Sequence, residues 1–232
     1  MLPQLELDGA RAAHAVLLDR LATLTDAQAV QRSRLPGWSV GHVVTHLARN
    51  ADSMTAMFLA ANAAAIADQY PGGLAQRGAD IEAGATRDAA TQIADVSDAI
   101  RRLEDVWATT HERAWATGMG RTATAGERPL GDLVFRRWRE TEVHHVDMGL
   151  SFTWQDWSEA YVDLELDRTI AVLAPRLAPG TSLRLEATGE IGAWLLDVAD
   201  TERFTVRAPK RELLAWLLGR HDRADWPTLA PW

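Results

Sequence analysis

The chain has 232 residues, and its 24 Lys and Arg residues against 32 Asp and Glu residues give a formal net charge of −8. No basic cluster is dense enough to indicate binding to nucleic acid or to a membrane surface, so a small molecule is the expected partner. Because the chain has no cysteine, disulfides, thiolate zinc sites and a cysteine nucleophile are excluded.

The N-terminal half predicts long helices. Apolar residues recur with helical spacing from Leu5 to about Leu24, which indicates a first helix. A break at residues 35–38 is followed by Ser39, a typical N-cap residue, and a second helix is expected to begin there. On that helix His46 lies at the shoulder of the apolar stripe, so we expect it near the edge of the core.

Two further helices complete the predicted bundle. An irregular segment is expected to begin at Tyr70, and a third helix is predicted from about Asp88 to Thr117. Residues 118–126 are interpreted as a loop, and a fourth helix runs from Pro129 to near Gly149. Four helices in this order favour an antiparallel bundle, in which facing helices commonly supply metal ligands.

The pattern changes after Trp157. Short alternating apolar runs indicate strands, and helical spacing is found before and after them. The sequence therefore predicts an α+β fold, with a four-helix bundle over residues 1–156 and a small α/β domain over 157–232. The expected elements of the second domain are a helix over 158–173, strands over 182–187, 193–198 and 203–207, and a helix that begins at Pro209.

Three residues of the bundle are candidate metal ligands. Glu140 and His144 are four residues apart and therefore project from one face of the fourth helix. They flank its apolar stripe, where a glutamate is rarely buried without a partner. His46 offers a third donor, and two histidines with one carboxylate leave coordination positions open, as in catalytic sites. A surface ion pair between Glu140 and His144 without metal is the alternative.

The residues around these candidates carry their own expectations. His42 lies in the first turn of its helix and is expected to be exposed. His145 points about 100° away from His144, so both cannot bind one ion. Asp147 either orients a ligand histidine or is a surface charge. Arg137 is expected to pack its aliphatic stem while its charge reaches water.

Together these segments resemble the mycothiol-dependent maleylpyruvate isomerase family, whose N-terminal part is a DinB-like metal-binding four-helix bundle. The resemblance covers nearly the whole chain, and residues 60–87 are the segment without a match. It implies that zinc is bound by His46, Glu140 and His144, and that Arg220 is a catalytic arginine. The segments that carry the resemblance are residues 35–42, 45–50, 139–149, 215–220 and 231–232.

The same resemblance implies the reaction and the partners. Mycothiol would be the thiol cosubstrate, and its thiolate would add reversibly to the cis double bond of maleylpyruvate to give fumarylpyruvate. Two alternatives are a mycothiol S-transferase acting on another electrophile and a non-catalytic metal-binding or thiol-binding module.

No apolar run approaches the roughly 18 residues of a membrane span, and the N-terminus lacks signal-peptide features. A cytoplasmic protein, monomeric or a small homo-oligomer, is expected.

Overall fold

A computed structural model of the chain describes residues 2–189, 193–196 and 202–230. The chain divides into two compact units, Met1–Ser151 and Phe152–Trp232. The boundary expected from the sequence, after residue 156, falls inside the second unit. The predicted fold class is confirmed, because a helical bundle is followed by a smaller unit that contains both helices and strands.

Four long helices form the first unit. They are α1 (Gln4–Leu21), α3 (Val40–Asn62), α5 (Ala89–Thr109) and α7 (Leu130–Asp147). Helix α3 packs against α5 and α7, and α1 packs against α7 and α5. The apolar stripe of α3 forms the centre of the bundle because its members are all buried: Val40, Val43, Val44, Leu47, Ala51, Met54 and Phe58.

Helix α3 begins with a capping box, as Ser39 predicts. The Ser39 hydroxyl accepts from the His42 backbone N–H, and the Ser39 N–H donates to Nδ1 of the His42 ring at 3.1 Å. The prediction that His42 is exposed is wrong. Its ring is half-buried because it caps the helix on one side and lies 3.2 Å from a Glu82 carboxylate oxygen on the other.

Three segments between the long helices differ from the sequence prediction. The irregular segment after Tyr70 contains helix α4 (Gly73–Ala85), and a short helix α2 (Asp26–Ala29) precedes α3. The third helix ends at Thr109, and His111 caps a separate helix α6 (Glu112–Thr117) by accepting from the Ala114 N–H at 3.1 Å. The predicted loop forms an antiparallel hairpin of β1 (Met119–Thr122) and β2 (Gly126–Pro129).

Helix α4 lies close against α3 because two glycines permit it. A Cβ atom at Gly84 would overlap the Thr45 side chain, and one at Gly41 would lie 2.8 Å from the Ala85 carbonyl oxygen. Gln92 of α5 fastens the end of α4, since its amide nitrogen donates to the Ala85 carbonyl at 3.0 Å. The segment that carries α4 is thus tied to both neighbouring helices.

The second unit has the predicted order of elements. Helix α8 (Glu159–Ala171) starts at the N-cap Ser158, and helix α9 (Lys210–Leu217) follows Pro209. Strand β3 (Thr181–Ala187) is central, antiparallel to β4 (Ala193–Leu196) and parallel to β5 (Glu202–Ala208). Residues 197–198 of the predicted middle strand and residues 231–232 lie outside the described residues.

Helices α8 and α9 pack on each other, and α9 also lies against β3 and β5. The inward residues of β3, among them Leu183 and Leu185, are buried, as alternation predicts. In the described parts of the chain, no helix is both long and apolar enough to cross a membrane.

Candidate metal centre

Helices α3 and α7 bring the three predicted ligands together. Nε2 of His46 lies 2.8 Å from Oε2 of Glu140, and Nε2 of His144 lies 3.5 Å from the same oxygen. One donor atom from each residue lies within 4.8 Å of the other two. The two imidazoles meet edge to face, with ring centroids 4.6 Å apart. His145 is buried but does not belong to this cluster.

His144 is oriented by a buried carboxylate. Its Nδ1 lies 2.9 Å from Oδ2 of Asp147, whose side chain is 2% exposed. A carboxylate at Nδ1 stabilises a proton on that nitrogen, so Nε2 is the nitrogen of His144 that a metal can take. Of the two roles considered for Asp147, the structure shows the orienting contact.

His46 has a different neighbour on its second nitrogen. Nη2 of Arg77, on α4, lies 3.0 Å from Nδ1 of His46. The Arg77 guanidinium also lies over the rings of Trp38 and Tyr70, at 5.9 and 5.6 Å from their centroids. Sequence reasoning missed Arg77, although its position four residues before the buried Ile81 places it on the inner face of a helix.

The electrostatics of the cluster follow from burial and from these contacts. Burial lowers the pKa of His46 to about 4, although Glu140 opposes the shift. Burial would raise the pKa of Glu140, but the hydrogen bonds with His144 and His46 lower it well below its usual range. Burial would also lower the pKa of His144, yet Asp147 and Glu140 raise it to about 9. Near neutral pH the cluster therefore pairs an ionised Glu140 with a cationic His144.

The donor set fits a divalent cation such as zinc. Zinc binds imidazole nitrogen and carboxylate oxygen at about 2.0–2.2 Å, so ligand atoms around one ion are roughly 3.3 Å apart. The separations of 2.8 and 3.5 Å bracket that value. The Glu140 side chain is 31% exposed, so one side of the cluster is open to an incoming ligand.

Comparison with known proteins places this arrangement in a family. The family model described as the mycothiol maleylpyruvate isomerase N-terminal domain matches residues 10–149, more than half of the chain and the part that contains all three candidate ligands. The chain belongs to the mycothiol maleylpyruvate isomerase family. A comparison with curated proteins gives no match.

Two crystal structures resemble the whole chain. One is described as the mycothiol-dependent maleylpyruvate isomerase, and the other is a single-residue mutant of it. Each is 20% identical in sequence and covers 100% of this chain and 98% of its own, with TM-scores of 0.89 and 0.88. At this identity the likeness shows a shared fold over both units.

Arg220, the catalytic residue implied by the family resemblance, follows α9 in the second unit. Its N–H donates to the Ala215 carbonyl at 2.7 Å, and its Nη1 donates to the Leu218 carbonyl at 2.6 Å. The side chain is half-buried. These contacts fix the turn at the end of the helix, and a catalytic role for Arg220 stays a prediction.

The prediction that the charge of Arg137 reaches water is wrong. Its charge does not reach water, because the side chain is fully buried between α1, α3 and α7. Nε donates to Nε2 of His14 at 3.0 Å, and Nη1 donates to the Leu47 carbonyl and to Oδ1 of Asn50, both at 2.9 Å. His14 in turn lies 2.7 Å from a Glu104 oxygen. The acceptors of Arg137 offset only part of the desolvation of its guanidinium, because Nη2 has no partner among the described residues and burial lowers the pKa of Arg137 to about 10.

Proposed function

We propose that this protein is a zinc-dependent and mycothiol-dependent isomerase that converts maleylpyruvate to fumarylpyruvate. Membership of the family supplies the reaction class and the thiol. The observation that carries the proposal is the convergence of His46, Glu140 and His144, with Asp147 orienting one of the two imidazoles. A chain without cysteine needs an external thiol for this chemistry.

The residues present suit a zinc ion held by Nε2 of His46, Nε2 of His144 and a carboxylate oxygen of Glu140. When bound, zinc would lower the pKa of a coordinated thiol, so that the thiolate is available near neutral pH. Asp147 keeps the His144 proton on Nδ1 and thereby keeps Nε2 available as a donor. Glu140 contributes a negative charge, which leaves a dication with a net positive charge that favours an anionic sulfur.

The reaction needs a nucleophile that can leave again. The mycothiol thiolate adds to the electron-poor cis double bond, and the resulting C–C single bond rotates. Elimination of the same thiolate restores the double bond in the trans geometry and regenerates the thiol. Addition places negative charge on the substrate carbonyl oxygen, which a fixed cation would stabilise by a few kcal/mol. Arg220 is proposed for that role or for holding a substrate carboxylate.

The test combines metal analysis with an assay of maleylpyruvate conversion, with and without mycothiol. Wild-type protein is expected to contain about one zinc per chain and to need mycothiol for turnover. His46→Ala and Glu140→Ala are expected to lose both the metal and the activity. If conversion survives in both variants, the proposed ligand set is wrong.

A matched pair separates loss of a ligand from the effect of the Glu→Gln change itself on α7. Glu140→Gln changes the proposed ligand, and Glu142→Gln makes the same change two residues further, where the carboxyl is 5% exposed and accepts from the Trp138 indole at 3.1 Å. Only Glu140→Gln is expected to lose zinc.

The same assays distinguish the two alternative functions. Retention of mycothiol in the product would identify an S-transferase, and zinc binding without turnover on any electrophile would identify a binding module.

A further inference from the structure

The two candidate imidazoles differ in what faces their second nitrogen. Nδ1 of His144 faces the Asp147 carboxylate, an acceptor, whereas Nδ1 of His46 faces the Arg77 guanidinium. A guanidinium only donates hydrogen bonds, and a neutral imidazole has one donor and one acceptor nitrogen. Arg77 can therefore donate to His46 only when the ring proton is on Nε2.

That tautomer is incompatible with a metal bound at Nε2. A ring that donates its Nε2 lone pair to a cation has its proton on Nδ1, where it needs an acceptor. The Arg77 guanidinium would then meet both an N–H group and a nearby dication, and both repel it. Arg77 and a metal thus compete for the same imidazole.

Arg77 also lacks the carboxylate partner that its neighbours have. Arg49 and Arg87 both form ion pairs with Asp95. Within the described residues, no carboxylate lies within ion-pair distance of Arg77, whose polar contact is His46. Its side chain is half-buried and the planar guanidinium lies over two aromatic rings, an arrangement that pre-orients it for a planar anion.

We propose that Arg77 is an anion-binding residue of this site and exchanges its hydrogen bond to His46 for the carboxylate of an acidic ligand once a divalent cation occupies the histidine ring. The assignment rests on the proposed function, whose substrate carries carboxylates, and it adds a specificity residue on α4. Trp38 and Tyr70 would remain in contact with the guanidinium, which lies over both rings. The site would therefore accept acidic electrophiles in preference to neutral ones.

Two binding measurements test the proposal without turnover. Zinc affinity is measured by competition with a chelating indicator, and the affinity of the zinc-loaded protein for maleate, a simple cis-dicarboxylate, is measured by calorimetry. The variants are Arg77→Met and Arg77→Lys. Arg101→Met is the matched control, since its side chain is 66% exposed and pairs with Asp98 on the outer face of α5.

The two affinities are expected to change in opposite directions in Arg77→Met. Zinc should bind about fivefold more tightly, because the net contribution of one hydrogen bond no longer opposes it. Maleate should bind at least about tenfold more weakly, because a charge-assisted pair is lost. Arg77→Lys retains the charge without the planar fork, so its maleate affinity should be intermediate. Arg101→Met should change neither affinity.

Unchanged zinc affinity or unchanged maleate affinity in Arg77→Met overturns the proposal. Weaker binding of both ligands, with native helix content by circular dichroism, would show that Arg77 only supports the site and would overturn it too. Should Arg77→Met not fold, Arg77→Lys decides, because wild-type maleate affinity in that variant contradicts the proposal. Opposite shifts without maleylpyruvate conversion by the wild type would leave this inference standing and remove the proposed function.

Discussion

The helical bundle contains two clusters in which a histidine side chain lies between a glutamate and an arginine. In one copy Glu140 lies 2.8 Å from His46, whose second nitrogen faces Arg77. In the other, Glu104 lies 2.7 Å from His14, whose second nitrogen accepts from Arg137. The residue types are the same, and both histidines are buried.

The two copies differ in how the arginine is anchored. Arg137 is fully buried and donates to the Leu47 carbonyl and to Asn50 as well as to His14. Arg77 is half-buried, with aromatic rings around it and no second polar anchor among the described residues. Only the copy with Arg77 has a third donor, His144, beside the glutamate. The additional hydrogen bonds fix Arg137 in place, whereas Arg77 has no such bonds to break in the exchange of partners proposed for it.

The largest expected effect concerns the fixed copy. Arg137→Met should reduce the free energy of unfolding by about 3–5 kcal/mol, since it leaves buried acceptors on three partners without a donor, at about 1–3 kcal/mol each. Arg136→Met is the control, because Arg136 forms only a partly exposed i,i+4 pair with Asp132 and should change stability by less than about 1 kcal/mol. Denaturant unfolding measures both. Equal effects in the two variants would show that Arg137 is not a structural anchor of the bundle.

The pH dependence of stability gives the next effect. Burial lowers the pKa of His14 to about 4, although Glu104 opposes the shift. Between pH 6.5 and 4 the unfolded chain binds a proton at this position and the native protein does not, so stability falls as the pH falls through this range. His14 accounts for up to about 3 kcal/mol of that loss at 1.36 kcal/mol per pH unit.

His14→Gln should reduce the loss of unfolding free energy between pH 6.5 and 4, when unfolding is measured with a chelator present. His46, whose pKa is also lowered by burial to about 4, keeps part of the slope in the variant. A slope between pH 4 and 6.5 that is the same in wild type and His14→Gln would contradict the assignment of a buried neutral His14.

In the exchangeable copy, zinc affinity should depend on pH on the alkaline side. Asp147 and Glu140 outweigh burial and raise the pKa of His144 to about 9, so a metal must displace its proton at neutral pH. Affinity is therefore expected to rise by up to about tenfold per pH unit from pH 7 to 9 and then to level off. Competition with a chelator of known pH dependence measures this. A flat profile would contradict the expectation that zinc displaces a proton from His144.

The smallest expected effect comes from the carboxylate that orients His144. Asp147→Asn should weaken zinc binding by about tenfold or somewhat more, because the amide no longer stabilises the Nδ1 proton by charge. Asp132→Asn, on the first turn of the same helix, should leave zinc affinity unchanged. Equal affinity in both variants would show that Asp147 does not support the ligand.

The sequence allows the three ligands to be proposed because the face of a helix on which a residue lies depends only on nearby residues. Glu140 and His144 share a helical face, and the apolar stripe of α3 orients His46 toward the same core, so two amphipathic helices suffice for the prediction. Their packing in the structure confirms that the three residues meet. The role of each as a ligand is still a prediction.

Arg77, Arg137 and His14 could not be assigned in this way, since each is defined by contacts between helices that are distant in sequence. Helix α4 was missed because its sequence is rich in glycine and alanine and has a weak apolar stripe. A buried arginine also contradicts the general preference for exposed charge, and only the three-dimensional arrangement of its acceptors explains it.

The position of Arg77 relative to His46 depends on two glycines in the contact between α4 and α3. Gly84 and Gly41 let α4 approach α3 closely, because a side chain at either position would overlap its neighbours. One added methyl group at position 84 would act as a wedge against Thr45 and push the guanidinium away from the imidazole that it contacts. Substrate choice in this protein would then also depend on a buried glycine in the contact between α4 and α3, about two helical turns from Arg77.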